Sequence, residues 1–209
     1  MIALVAGLPP KRAAITVPAC PDWTVRDLLS HMVGLGADVV AGDEPDDHNA
    51  GWTQRQVDER RGLDVSALLE EWAGTVRPLR AWMAEHGTRP LGDVTIHEQD
   101  LRGARGEPGG RDTPAMAAMS ERFVGRLASR LDPGLPPLAL VGDRWSWCST
   151  GQSADAAVEI RASDFDLARA LVTRRSAAQL RSWTTRGDVE PYLDAFAVLG
   201  PLPTRDLTE

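Results

Sequence analysis

One segment constrains this chain more than any other: Asp93-Val-Thr-Ile-His97-Glu-Gln-Asp100-Leu-Arg102. At roughly 100° per residue, Asp93, His97 and Asp100 fall on one narrow arc of a helix, with Ala104 on the same arc. Val94 and Leu101 flank that arc on one side and Ile96 on the other. Thr95, Glu98 and Arg102 lie opposite, on the face expected to be solvated. Two carboxylates and an imidazole therefore sit inside the apolar stripe. Burying such groups unpaired is costly, so the helix must pack where they satisfy one another or where they hold an ion. Residues four apart have Cβ atoms about 5–6 Å from each other. That spacing lets a carboxylate and an imidazole reach one ion at ~2.0–2.2 Å. The residues alone leave both readings open.

A third candidate ligand lies upstream. Thr24 and Asp27 form a capping-box pattern, and Val25, Leu28, Leu29, Met32 and Val33 continue it with helical spacing. His31 falls on the rim of that stripe, one turn after Asp27. Histidines that bind metal usually give their other ring nitrogen to an outer acceptor, so Asp27 and Asp100 are the expected groups orienting the two imidazoles.

The chain reads as two parts. Residues 1–110 are dominated by helical patterns: the one from Thr24, a short one over Gly51–Arg61, a longer one from Asp64 or Ser66 with a kink or break at Pro78, and the segment around Gly92–Arg102. Asp38–Ala50 is acidic and polar and reads as a loop. The run Gly103-Ala-Arg-Gly106-Glu-Pro-Gly-Gly110-Arg111 has linker chemistry. In residues 111–209, Thr113-Pro114 opens a helix to about Leu131. Leu138–Val141, Trp145–Ser149 and Ala156–Ala162 read as short strands, and Ser163 and Ser176 open further helices. This predicts an α+β part with a small antiparallel sheet packed on helices.

Composition excludes several classes of function. The net charge of −7 opposes non-specific nucleic-acid binding, which runs on clustered positive charge, and docking on anionic lipid. The apolar start, Met1–Leu8, is too short to span a bilayer. Cys20 and Cys148 form no CxxC pair. A cytoplasmic protein is expected, with Cys20 structural at a helix entry and Cys148 in the core. Lys11 is the only lysine among 23 basic residues, a bias that suggests a high-GC, actinobacterial source. His48 and His86 read as solvated surface residues. No phosphate-loop GK[ST] and no G-x-S-x-G elbow is present.

At this point the motifs resemble a known family. Cys20-Pro-Asp-Trp-Thr-Val-Arg-Asp-Leu-Leu-Ser-His31, Gly51-Trp52-Thr53-Gln54-Arg55-Gln56-Val57 and the Asp93/His97/Asp100 spacing resemble the mycothiol-dependent maleylpyruvate isomerase family of DinB/YfiT-like metalloproteins. Val158–Ser176 resembles that family's second domain. The resemblance implies a DinB-like four-helix bundle over 1–110 and a sterol-carrier-protein-like α+β domain over 111–209. It implies Zn²⁺ or another divalent metal on His31, Asp93 and His97, and mycothiol or a similar small thiol as cosubstrate, gripped near Trp52 and Gln56. The implied activity is a thiol-using isomerase or S-transferase acting on a small electrophile, with no catalytic residue beyond the ligands. Two departures stand out: Asp93 replaces the family's Glu and is one methylene shorter, and Met1–Leu8 leaves only a short first helix. The rival reading is a non-catalytic, metal-stabilised bundle whose C-terminal domain binds a ligand or a protein.

Overall fold

The computed structural model describes residues 2–45 and 49–209; His48 lies outside them. The chain divides into two compact units, one running to Gly109 and including Glu209, the other spanning Gly110–Thr208. Helix dominates and the sheet part is small. No helix of the described residues is long and apolar enough to cross a membrane.

The first unit opens with two short helices, α1 (Ile2–Val5) and α2 (Pro10–Ala13), and a small hairpin of β1 (Thr16–Val17) and β2 (Cys20–Thr24). Four longer helices follow: α3 (Val25–Ala41), α4 (Ala50–Glu59), α5 (Val65–His86) and α6 (Pro90–Arg105). Helix α3 is central and packs on α4, α5 and α6. Its start is fixed by the reciprocal Thr24/Asp27 capping box. Leu28, Leu29 and Met32 bury against Val65, Leu68 and Leu101. A second apolar cluster joins Leu35, Val39 and Trp52.

Three local expectations need correction. Asp38 is not in a loop, because α3 continues to Ala41 and ends on Gly42 at φ +73°. Its last turns stay helical because Val39 is buried. Pro78 neither ends nor divides α5; it and Gly74, whose carbonyl it deprives of a partner, are both exposed, so solvent can take the lost bond. Gly103 lies within α6, which stops at Gly106 with φ +66°.

In the second unit, α7 (Pro114–Arg130) precedes β3 (Leu138–Val141), β4 (Ser146–Cys148) and β5 (Val158–Arg161). Then come α8 (Asp164–Leu171), α9 (Ala177–Trp183) and β6 (Thr184–Arg186). The strand order is β4-β3-β5-β6. The sheet is mixed, not antiparallel: β3 pairs antiparallel with β4 but parallel with β5, from Leu138↔Val158 to Val141↔Arg161. A 3₁₀ turn at Ser153–Asp155 carries the chain from the β4 edge to the far side of β3, so β5 enters in the same direction as β3. Arg175, 1% exposed, is held by Asp166 at 2.9 Å. Thr173, at φ +60°, donates its hydroxyl to Phe196 O and accepts from Leu199 N.

Candidate metal centre

Helices α3 and α6 bring His31 and His97 together, with ring centroids 5.0 Å apart and planes at 87°. Both are buried, at 4% and 8% exposure, so His31 does not sit on a rim. Helix α4 covers that side. His31 Nδ1 lies 2.7 Å from Gln56 Oε1, and Gln56 Nε2 donates to Asp38 Oδ2 at 2.7 Å. The chemistry of this chain of groups runs one way. A carboxylate only accepts, so the amide NH₂ faces Asp38 and the amide oxygen faces His31. Nδ1 must then donate, and Nε2 keeps the ring's lone pair. Gly34 makes the approach possible: a Cβ there would stand 2.6 Å from Gln56 Cβ and 2.9 Å from Arg60 Nη1. The Trp23 ring lies 5.0 Å from the His31 ring.

His97 is tied back in the same manner. Its Nδ1 donates to Asp100 Oδ2 at 2.9 Å, and Asp100 is 1% exposed. Cys20, the first residue of β2, donates its thiol to the same oxygen at 3.7 Å. Burial pulls the His97 imidazolium down, but hydrogen bonding to Asp100 and Cys20 outweighs it and raises the ring's pKa to about 9. The surroundings thus favour positive charge at this ring, which a proton or a cation supplies.

Asp93 lies in the first turn of α6, half-buried and one turn before His97. Its charge acts on Arg89, whose guanidinium also holds Glu44 through two contacts of 2.6 Å. Asp27 does not reach His31. Its carboxylate takes the Thr24 hydroxyl at 2.7 Å, the Thr24 amide at 3.1 Å and Arg26 Nη1 at 3.2 Å, because cap geometry turns it toward the helix start. Gln56 fills the role expected of Asp27. Trp52 packs in the Leu35–Val39 cluster at 6% exposure. Thr95, expected in solvent, is buried with its hydroxyl on Leu91 O, whereas Glu98 pairs with Arg102 at 2.8 Å. His86 is exposed, against the Trp82 ring, and Cys148 is buried beside Ala139 and Ala156.

Sequence reasoning missed Cys20 and Trp23 as neighbours of the histidines and Asp38 as the group that holds Gln56. Asp38 carried a faint signal, seven residues beyond His31 and so near the same helix face. The two buried imidazoles, from different helices and each held at Nδ1 so that Nε2 is the basic atom, have the chemistry to hold a divalent ion; Asp93 stands one helical turn before His97, but among the described residues its carboxylate does not converge with the two rings.

No curated protein and no solved structure matches the chain. The model of one protein family, the mycothiol maleylpyruvate isomerase N-terminal domain, does match, over residues 1–102. The part of the chain that carries His31, Asp93 and His97 therefore belongs to the mycothiol maleylpyruvate isomerase N-terminal domain family.

Proposed function

We propose that this protein is a divalent-metal-dependent, thiol-using isomerase or S-transferase, with His31, Asp93 and His97 as the ligands and Zn²⁺ as the ion. The cosubstrate is mycothiol or a similar small thiol, and the second substrate is a small electrophile. In this reading the first unit is a DinB-like bundle and the second a sterol-carrier-like α+β domain. The observation that carries the proposal is the meeting of two buried imidazoles, each tied back at Nδ1, in a segment of this family.

Three protein ligands leave a coordination position for an incoming group, the pattern of catalytic rather than structural zinc. The ion, when bound, supplies Lewis acidity that holds an entering thiol as thiolate. The chain's own residues do the positioning. Asp38 and Gln56 fix the His31 tautomer, and Asp100 fixes that of His97. Asp93 contributes the anionic ligand, and Trp23 covers one face of the His31 ring. Trp52 holds α4, and with it Gln56, against α3. The nucleophile arrives with the cosubstrate, so neither cysteine is needed for the chemistry.

Elemental analysis of protein purified without chelator tests the ligand set. Wild type should carry near one divalent ion per chain and His97→Ala almost none. Asp93→Glu should keep the ion and Asp93→Asn should weaken it. Equal, negligible metal in wild type and His97→Ala would refute the proposal.

A further inference from the structure

A second set of donors meets around His97, and it takes nothing from His31 or Asp93. Cys20, His97 and Asp100 each offer one ligand atom, all within 4.8 Å of one another. For a tetrahedral ion with a metal–sulfur bond of ~2.3 Å and a metal–oxygen bond of ~2.1 Å, sulfur and oxygen stand roughly 3.6 Å apart. Cys20 Sγ and Asp100 Oδ2 are 3.7 Å apart. The matching nitrogen–oxygen separation is roughly 3.4 Å. His97 Nδ1 and Asp100 Oδ2 are 2.9 Å apart, closer because a proton bridges them. The sulfur–oxygen pair already stands at the coordinating distance, and the nitrogen–oxygen pair reaches it by opening about half an ångström.

Charge and access agree with this. Asp100 is almost wholly buried, His97 is 8% exposed and Cys20 is half-buried, so the sulfur side gives an ion its way in. A thiolate and a carboxylate together carry two negative charges, which a divalent cation neutralises in a place where net charge is expensive. The thiolate selects the class of ion, because soft sulfur prefers thiophilic metals over magnesium or calcium.

We infer that Cys20, His97 and Asp100 form a site for a thiophilic divalent cation, zinc or cadmium in class, distinct from the His31/Asp93/His97 set and sharing one ring with it. The inference does not rest on the proposed activity. It predicts that one face of His97 reports a sulfur-bound metal.

The test is a cobalt(II) titration of the full, reduced chain, read by thiolate-to-cobalt charge transfer in the near ultraviolet. Wild type should show the band, and so should His31→Ala and Cys148→Ser. Cys20→Ser should lose it, and Asp100→Asn should lower cobalt affinity by about tenfold or more. Cobalt bound by wild type without a thiolate band overturns the inference, and this reading needs no variant to fold. A band that survives in Cys20→Ser, or no cobalt binding at all, overturns it equally. The two metal readings separate cleanly: loss of all binding in His31→Ala speaks for the His31 set alone, and an unchanged band in that variant speaks for the Cys20 set.

Discussion

Asp38 never touches His31, yet it decides which nitrogen of that ring carries the hydrogen. Its carboxylate fixes the orientation of the Gln56 amide, and the amide fixes the imidazole. Asp38→Asn removes that direction, since an asparagine can donate as well as accept and the Gln56 amide is then able to turn over. Metal affinity should fall by about 10- to 100-fold, the usual effect of losing an outer partner of a ligand, while helical ellipticity is kept. Competition titration against a chromogenic chelator measures it, and an affinity equal to wild type would show that Asp38 has no hold on the tautomer. This dependence was only partly legible in the sequence. The Asp93/His97/Asp100 arc was visible because one helix contains it. The Gln56 and Cys20 contacts join residues 25 and 80 positions apart from their partners, and no periodicity encodes which turns of separate elements will touch.

At the scale of elements, the close packing of α3 on α4 rests on a missing side chain. Gly34→Ala would drive a methyl group into the Gln56 stem and the Arg60 guanidinium. The backbone of α4 must then shift, at a cost of about 1–3 kcal/mol. Gly125, mid-way along α7 with open space around its position, gives the opposite sign: Gly125→Ala should stabilise by about 0.5–1 kcal/mol. Urea unfolding of both variants checks the pair, and a harmless Gly34→Ala would mean that α4 does not bear on α3 there. Helix starts were the elements best read beforehand, because Thr24 with Asp27 is a local, self-contained capping pattern and Ser176 opens its helix as a single local cap. The sheet was read less well. The direction of β5 against β3 depends on which edge the chain reaches after β4, and the strands themselves carry no mark of it. Pro78 misled for a related reason: its cost depends on exposure, a property of the folded helix.

At the scale of the whole molecule, alkaline stability has a single reporter. Tyr192 is the only tyrosine in the chain. It is 1% exposed and donates its hydroxyl to Pro136 O at 2.7 Å. Burial, with a smaller push from the Asp188 charge, raises its pKa above the ordinary 10. The folded chain therefore keeps this proton at pH values where the unfolded chain has released it. Stability is intact below about pH 10 and falls as pH rises from there through the raised value. A tyrosinate absorbance titration followed alongside ellipticity should place ionisation above 10, with no signal in Tyr192→Phe. Ionisation at or below 10 in folded protein would contradict the buried, donating phenol.

The meeting of Gly34, Asp38 and Gln56 also has a hereditary consequence. A glutamate at 56 would set a second anion against Asp38, an asparagine there would fall short of His31, and a larger residue at 34 would push either one away. Once Asp38 is lost, only His31 still holds the residue at 56; once Gln56 is lost, only the Arg60 guanidinium still crowds position 34. Each of the three positions therefore limits what the other two can become, and lineages descending from this chain should change them together more often than singly.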